Sequence, residues 1–489
     1  MIGIDLGTVN SLVAYIGEDN KPKIISTERG EKFTPSVVYF KNSLEVLIGE
    51  LAKSQMYLYP ERTIRFVKRD IGKEIDYTIF DRKFNPAEIS ALILRKLMKI
   101  SDEYFGKKKE AIITVPAYFD DNQRFYTINA AKLAGIEKVH LLNEPDAAAI
   151  AYGIFNDNTN LMVLDIGGGT FDISLMNIKD GVFKVIGNGG DTNFGGLDFD
   201  NAISDYILKT VQETQNIDLS KDPIAMQQIL IHSEKAKLDL STVDETNIMI
   251  PYISQNDNGP IHINITITKD IFYKLTENLF KKFEKLIEET LLENKIEDNW
   301  LNKIIFVGGT SRIKKFKDII KNKFPTVEIK QDINPEDVVA EGAAIKAGIL
   351  SGKLKDVEFK DILSHSYGII NDEGEFVEIL NKGREYPTVE SKLFTNSFDE
   401  QDEIILEIRQ KIAEEIISLG SFKFKSTKKW KKNESNIEVV FNVDINGVLN
   451  VTAIDIDTHQ SEELIIENAL YGNRENETQV RRGKEIIVK

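Results

Sequence analysis

Two short stretches of this chain hold residues that could do chemistry on an anion. "IGIDLGTVNSLVAYI" (residues 2–16) and "VLDIGGGTFDISLMNI" (residues 163–178) share one plan. An apolar run reaches an Asp, passes one apolar residue, turns at glycine and threonine, and resumes as an alternating run. Asp5, Gly7 and Thr8 correspond to Asp165, Gly167 and Thr170. Glycines let backbone N–H groups turn inward and approach an anion closely, making a nest of donors. A threonine hydroxyl adds another. A carboxylate at a strand end suits Mg²⁺, which takes one or two carboxylates, keeps several waters and shares phosphate oxygens. A third glycine turn follows an apolar run at "IIFVGGTSRI", residues 304–313. One such hairpin alone is as readily a plain glycine-rich turn. The pair plus the third turn reads as a phosphate site gripped from both sides.

Each stretch needs two alternating strands and a tight turn, so each is a predicted β-hairpin. A repeat at this spacing implies a duplicated domain, since a solenoid has a far shorter period. No G-x-x-x-x-G-K-[ST] occurs, which excludes a P-loop, and no G-x-G-x-x-G stands in a Rossmann context. The chain has 489 residues, enough for roughly three domains. A formal net charge of -16 argues against nucleic acid or an anionic membrane as partner. There is no cysteine, which excludes disulfides, zinc–thiolate sites and thiol nucleophiles. "MIGIDLGTVN" has no signal-peptide pattern and no window is as long as a membrane span, so a cytoplasmic location is expected.

Longer strings narrow the reading. "GIDLGTVNS", "TPSVVYF", "ITVPAYFDDNQR", "LLNEPDAAAIAYG", "LDIGGGTFDIS", "GGDTNFGGLDFD" and "FVGGTSRI" stand in this order over most of the first 350 residues. They resemble the seventy-kilodalton heat-shock chaperones, the DnaK-like family, and weaker similarity continues to about residue 470. The resemblance implies an α/β actin-like ATPase with duplicated ribonuclease-H-like subdomains over 1–355. It implies a linker at 356–361, a mainly-β sandwich for substrate at 362–470 and a charged tail at 471–489. It implies ATP, ADP and Mg as cofactors. Asp5 and Asp165 would hold the waters around Mg²⁺. Gly7, Thr8, Val9, Gly167, Gly168, Gly169 and Thr170 would bind phosphate oxygens, with Gly195 and Gly196 beside them. Lys68 matches the lysine that orients the attacking water, and Glu144 the carboxylate near that water or the metal shell. Taken alone, Lys68 could be a solvated lysine, and Glu144 could be helix N-terminal charge before Pro145.

"MQQILIHSEKAKLDLS" reads as an amphipathic helix, with Glu234, Lys237 and Ser241 at i, i+3 and i+7 on one face. The family uses these positions for the ribose and adenine edge. Gly308, Gly309 and Arg312 match the opposing clamp, with the guanidinium stacking on the base. "NPEDVVAEGAAIKAGIL" predicts a helix with Asn334 as N-cap and Pro335 at N1. Glu336 stands there in place of the family's usual Asp.

Beyond 355 short alternating strands dominate. "IEVVFNVDINGVLNVTAID" predicts a hairpin, with Ile437, Val439, Phe441 and Val443 on one face and Asn446-Gly447 at the turn. Ile404, Leu406 and Ile408 share another face. The resemblance places substrate peptide near Ile369, Phe394, Ile404 and Leu406. Departures gather in this half. Only 19 residues follow 470, so the expected helical lid is missing. Asp372 and Ser397 stand where the family has an apolar arch. Glu358 and Lys360 replace apolar linker residues, which predicts weak docking of the linker on the ATPase domain. His140 replaces a basic residue used for J-domain docking. "PYISQNDNGPIHINITIT" is similar to the region contacted by a nucleotide exchange factor. The expected function is an ATP-dependent, lidless chaperone binding client polypeptide, with J-domain and exchange-factor partners. A nucleotide-switched protein with one dedicated partner is the alternative. An actin-like filament protein or sugar kinase is disfavoured by the sandwich and by "NEPDAAA".

Overall fold

The structure is a computed structural model that describes residues 1–106, 110–153, 158–256, 259–330, 334–354, 358–371, 373–459, 461–465 and 486–489. Its architecture is mixed α/β with several sheets. Two large sheets are built alike. The first runs Lys138–Asn143, Glu110–Val115, Ile2–Leu6, Asn10–Ile16, Pro22–Ile24. Its first three strands are parallel and the last two continue antiparallel. The second runs Glu328–Lys330, Lys303–Val307, Thr159–Ile166, Phe171–Lys179, Val182–Asp191 with the same senses. Parallel strands covered on both faces read as continuous apolar runs. Accordingly Ala111, Ile112 and Ile113 and, in the second sheet, Met162, Val163 and Leu164 are fully buried.

Helices Glu144–Gly153 and Val338–Leu350 cross between the sheets, in a core cluster that takes residues from both. Their approach is close: a Cβ on Gly342 would lie 1.8 Å from the Ala147 carbonyl oxygen. The second of these helices starts later than its sequence signals suggest. Asn334 caps a turn, taking the Glu336 N–H on its side chain at 3.3 Å, and the helix proper begins at Val338 after Asp337. The Pro335 carbonyl is turned aside to accept the Gly308 N–H at 3.0 Å.

The C-terminal part packs two four-stranded sheets. One orders Phe376–Leu380, Ser366–Ile370, Gln401–Ile412, Glu415–Trp430, and the other Thr388–Phe394, Ile437–Val443, Leu449–Asp455, Ser461–Ile465. Ile437, Val439, Phe441 and Val443 are fully buried between them. The hairpin loop is tied by Asp444, whose carboxylate accepts the Asn446 and Val448 N–H groups at 2.8 and 3.0 Å.

This sandwich is seated on the first lobe, the body built around the first sheet, through polar contacts. The Leu141 N–H donates to Asn446 Oδ1 at 3.0 Å, and the Leu449 N–H to Asp121 Oδ1 at 2.9 Å. The Ser364 hydroxyl donates to the Ala117 carbonyl at 2.7 Å. His365 lies edge-on to Tyr118, with Nε2 3.2 Å from that residue's carbonyl oxygen.

The expectation of weak linker docking is corrected here. Glu358–Ile362 forms a strand that pairs in parallel with the second sheet, Val182 opposite Glu358 and Lys184 opposite Lys360. Side chains alternate along a strand. Glu358 and Lys360 therefore point the same way, into solvent, and pair with each other at 3.5 Å. Phe359 points the other way, with its ring 6.5 Å from that of Phe183 and the Lys346 ammonium 5.1 Å from its centroid. Neither of these two charges needs burying, so their desolvation cost does not arise. The strand then pairs with Glu385–Tyr386 of the sandwich, so one ladder runs from one domain into the next. Linker residues 356 and 357 lie outside the described residues.

The reading of 471–489 as a charged tail also changes at its end. Ile487–Val488 forms a strand beside Glu45–Ile48. Residues 471–485 lie outside the described residues.

Candidate nucleotide site

The turns at 7–9 and 167–170 meet across a cavity of about 360 Å³. They nearly touch: a Cβ on Gly168 would lie 2.3 Å from Val9 Cγ2, and one on Gly169 2.7 Å from Thr8 Oγ1. Asp5, Gly7, Thr8, Val9, Lys68, Glu144, Asp165, Gly167, Gly168 and Thr170 line one end of this cavity. Glu234, Lys237, Ser241, Gly309, Arg312 and Glu336 line the rest of it, and Gly308 stands beside Asp165. These residues come from both hairpins and from five further turns or helices, and the chain brings them to one place.

Asp5 and Asp165 occupy equivalent positions near the ends of Ile2–Leu6 and Thr159–Ile166, opposite Leu12 and Asp172. Lys68 sits in the short helical turn Val67–Arg69, entered through Phe66 at φ 60°. It is buried, and its ammonium pairs with the Glu144 carboxylate at the start of Glu144–Gly153. Four carboxyl groups, Asp5, Glu144, Asp165 and Asp172, thus gather near the Lys68 ammonium. Burial, then the Glu144 charge, pushes Asp5 up to about 7, opposed by Lys68 and by a hydrogen bond from Thr114. Burial, followed by the charges of Glu144, Asp172 and Asp5, holds Asp165 well above the usual carboxylate range. Asp172 is raised to about 7, chiefly by burial and then by Glu144. Its Oδ2 is buried without a hydrogen-bond partner among the described residues.

This donor set fits a cation. Like charges crowded in a dry site are costly unless a counter-charge joins them. Among the described residues no three acidic or histidine groups close on one point as direct ligands.

At the far end, Glu234 and Lys237 lie on Pro223–Leu240 and Ser241 caps it. The Lys237 ammonium is anchored by the Gly196 carbonyl at 3.0 Å and Asp200 at 2.9 Å. Facing them, Arg312 lies 3.6 Å from Glu336 and donates to Asn334 at 3.1 Å. Gly308 has φ +79°, and a Cβ there would lie 2.3 Å from the Ile166 carbonyl oxygen and 2.7 Å from Asp165 Oδ1. Only glycine permits that approach.

Gly169, Gly195 and Gly196 stand behind the cavity wall. The Gly196 and Leu197 N–H groups donate to the carbonyls of Gly167 and Gly168 at 3.0 and 2.9 Å. These contacts brace the glycine loop. Arg69, which the sequence reading passed over, closes the same loop: it donates to the Gly169 carbonyl at 2.9 Å and pairs with Asp198 at 2.5 Å. Arg65 to Glu234 at 3.3 Å and Lys32 to Asp337 at 2.8 Å add pairs across the cleft. Asp172 was missed too, although its place in "GGGTFDIS" fixes it opposite Asp165 once the hairpin is drawn. Phe33 carries no comparable signal, and Thr310 stands in the third glycine turn without having been singled out; both line the cavity.

The residues expected to meet peptide sit apart from this cavity. Ile369, Ile404 and Leu406 are buried in the sandwich core and Phe394 packs against it half-buried. Asp372 lies outside the described residues. The Ser397 N–H donates to Gln401 at 3.0 Å. His140, on Lys138–Asn143, has Nε2 3.2 Å from Glu110. The segment similar to an exchange-factor region forms the hairpin Glu245–Asn256 and Gly259–Thr268, with Tyr252 three-quarters exposed.

The family model described as "Hsp70 protein" matches residues 1–83 and 73–487. The chain belongs to the Hsp70 family. The chaperone protein dnaK of Phaeodactylum tricornutum (strain CCAP 1055/1) is 36% identical over 498 aligned residues, covering 96% of this chain and 81% of that relative. As a member of the Hsp70 family this chain is an ATP-dependent molecular chaperone and an ATPase. Hsp70 proteins bind ATP and ADP, generally with Mg, and act on client polypeptides. Among the described residues no helix is long and apolar enough to cross a membrane.

Proposed function

We propose that ATP lies in the cavity between the two hairpins and that its hydrolysis controls polypeptide binding by the sandwich. The observation that carries this reading is the meeting of two Asp–Gly–Thr turns over the buried Lys68–Glu144 pair. Residues 1–355 act as the actin-like ATPase domain, in which the repeated strand order is the mark of a duplicated subdomain. Residues 362–470 act as the substrate domain.

The loops at 7–9 and 167–170 offer backbone N–H groups and the hydroxyls of Thr8 and Thr170 to the β- and γ-phosphates. Asp5 and Asp165 would hold Mg²⁺ through its waters, and the ion when bound would neutralise phosphate charge. Lys68 positions the attacking water and Glu144 keeps Lys68 in place. Phosphoryl transfer to water asks mostly for positioning and charge neutralisation, and this set provides both. Glu234, Lys237 and Ser241 hold the ribose side. Gly308, Gly309 and Arg312 close over the base, with Glu336 aligning Arg312.

The docked linker strand and the polar seat around Asp121 and Asn143 give nucleotide a differential contact with which to move the sandwich. Ile369, Ile404 and Leu406 are buried in the docked form, so peptide capture requires the sandwich to open toward them. A J-domain protein near His140 and an exchange factor at the 245–268 hairpin complete the cycle. The test is single-turnover ATP hydrolysis with and without a short apolar peptide. Stimulation by peptide supports the reading, and a rate indifferent to peptide at saturation refutes the coupling.

A further inference from the structure

The sheet in the first lobe that contains Val37–Phe40 and Glu45–Ile48 has a guest strand. Its order is Ile487–Val488, Glu45–Ile48, Val37–Phe40, Thr63–Arg65. The outermost member comes from the far end of the chain, with Ile487 opposite Glu45 and Val488 opposite Val46, in parallel. Three backbone hydrogen bonds join it: Ile487 N–H to Leu44 O at 2.7 Å, Lys489 N–H to Val46 O at 3.1 Å, and Ile48 N–H to Lys489 O at 3.2 Å. The Ile486 side chain is buried in the core of that lobe, and its carbonyl accepts from Arg95 Nη2 at 2.9 Å. The Lys489 ammonium pairs with Glu45 at 2.7 Å.

We propose that the edge of Glu45–Ile48 is a strand-addition site whose ligand is this chain's own segment 486–489, and that its occupation tethers the sandwich to the ATPase lobe. An open sheet edge presents unpaired N–H and C=O groups that invite another strand. Main-chain bonds then give affinity and a side-chain pocket gives specificity. Here the pocket takes Ile486, and the Lys489–Glu45 pair sets the register. The sandwich is therefore held at both ends. Glu358–Ile362 joins its entry to the second sheet, and 486–489 returns its exit to the first lobe. Twenty residues, 466–485, connect the last sandwich strand to this site. A connection of that length keeps segment 486–489 at an effective concentration on the order of millimolar. A docked tail thus favours the docked sandwich without touching it.

The test uses the full chain without nucleotide, so it does not depend on the ATP-site assignments. Amide hydrogen exchange is read at Ile48, which reports the strand, and at Leu449, which reports sandwich docking through Asp121. Ile486→Asp places a charge in the lobe core, and Ile487→Pro removes the donor to Leu44 O. Each should speed exchange at Ile48 by about tenfold or more. Leu449 should speed up as well. Adding the hexapeptide Lys-Glu-Ile-Ile-Val-Lys in trans to Ile486→Asp should restore protection at Ile48 but not at Leu449, because a separate peptide fills the site without tethering. Ile486→Val should behave as the unmodified chain. Unchanged exchange at Ile48 in both disruptive variants overturns the site. A rise at Ile48 with Leu449 unmoved overturns the tether. Unmodified chain that runs as a dimer and loses Ile48 protection on dilution assigns the strand to a second copy and overturns the intramolecular arrangement.

Discussion

Asp361→Ala should release the sandwich from the ATPase lobe while leaving both domains folded. The Asp361 carboxylate is buried where the linker strand passes between them. It accepts from Asn143 Nδ2 at 2.9 Å and from the Tyr386 hydroxyl, one group from each domain, and from the Ile362 N–H at 2.7 Å. A buried donor left without its acceptor costs about 1–3 kcal/mol. The Tyr386 hydroxyl would bear that cost in full. Asn143 keeps a second partner in Asp146 at 2.8 Å, so its loss is smaller. The carboxylate itself is held above its usual range, chiefly by burial, so removing it also relieves a desolvation cost. The balance is a loss of about 2–3 kcal/mol of docking free energy. That corresponds to roughly a 30- to 150-fold shift toward the undocked form. The assay is amide exchange at Leu449, whose N–H is held by Asp121 only when the sandwich is seated. The control is Glu358→Leu with Lys360→Leu, whose exposed pair contributes roughly 0.5 kcal/mol or less. If the control speeds exchange and Asp361→Ala does not, the argument from side-chain alternation is wrong.

Asp165→Asn should bind ATP but hydrolyse it orders of magnitude more slowly in single turnover, since it removes charge from the cation's water shell at constant volume; near-normal turnover excludes the residue from the site. Lys68→Ala should lose hydrolysis yet still be protected thermally by ATP, and without nucleotide its melting temperature should fall, because Glu144 is left buried among Asp5 and Asp165; equal melting temperatures would contradict that arrangement. Gly308→Ala should abolish nucleotide binding measured by calorimetry, because its Cβ would collide with the Ile166 carbonyl, and normal affinity would count against the close approach. Two buried groups at the seat titrate in opposite senses: burial depresses the pKa of His365 from 6.5 to about 3 and raises that of Asp121 from 3.8 to about 7. The docked form binds fewer protons at His365, which weakens docking below pH 6.5, and more at Asp121, which strengthens it as the pH falls through 7, so the two offset each other. His365→Gln should therefore make docking tighten between pH 7 and pH 5, read as slower Leu449 exchange after correction for the intrinsic rate, and a profile unchanged by the substitution would remove His365 from the balance.

The hairpin part of the candidate nucleotide cavity was legible in the sequence because its pieces are local. An Asp, a glycine turn and a threonine within six residues form a site fragment whatever the rest of the chain does. The alternation that buries Ile437, Val439, Phe441 and Val443 was legible for the same reason. What escaped was long-range pairing. Arg69 is an ordinary surface-type residue until Asp198 and Gly169 are brought beside it. The linker misled because Glu358 and Lys360 were judged by composition, whereas the period of a strand decides which side chains are buried. Nothing in "EIIVK" marks it as the neighbour of residues more than four hundred positions earlier. Asn334 shows the reverse case, a correct local signal overruled when the Pro335 carbonyl is taken by Gly308.

The contact of Gly342 with Ala147 has a mechanical consequence. At this point the two helices meet backbone to backbone, flanked by the small side chains of Ala147, Ala148, Ala343 and Ala344, and such a shallow contact lets packed helices slide or swivel at small energetic cost. Glu144 on one helix and Val339 on the other both line the cavity, so a small rotation at this contact changes its width. A single methyl group at 342 would jam the joint far from any phosphate. Sensitivity to substitution in this protein is thus set by leverage as much as by distance from the chemistry.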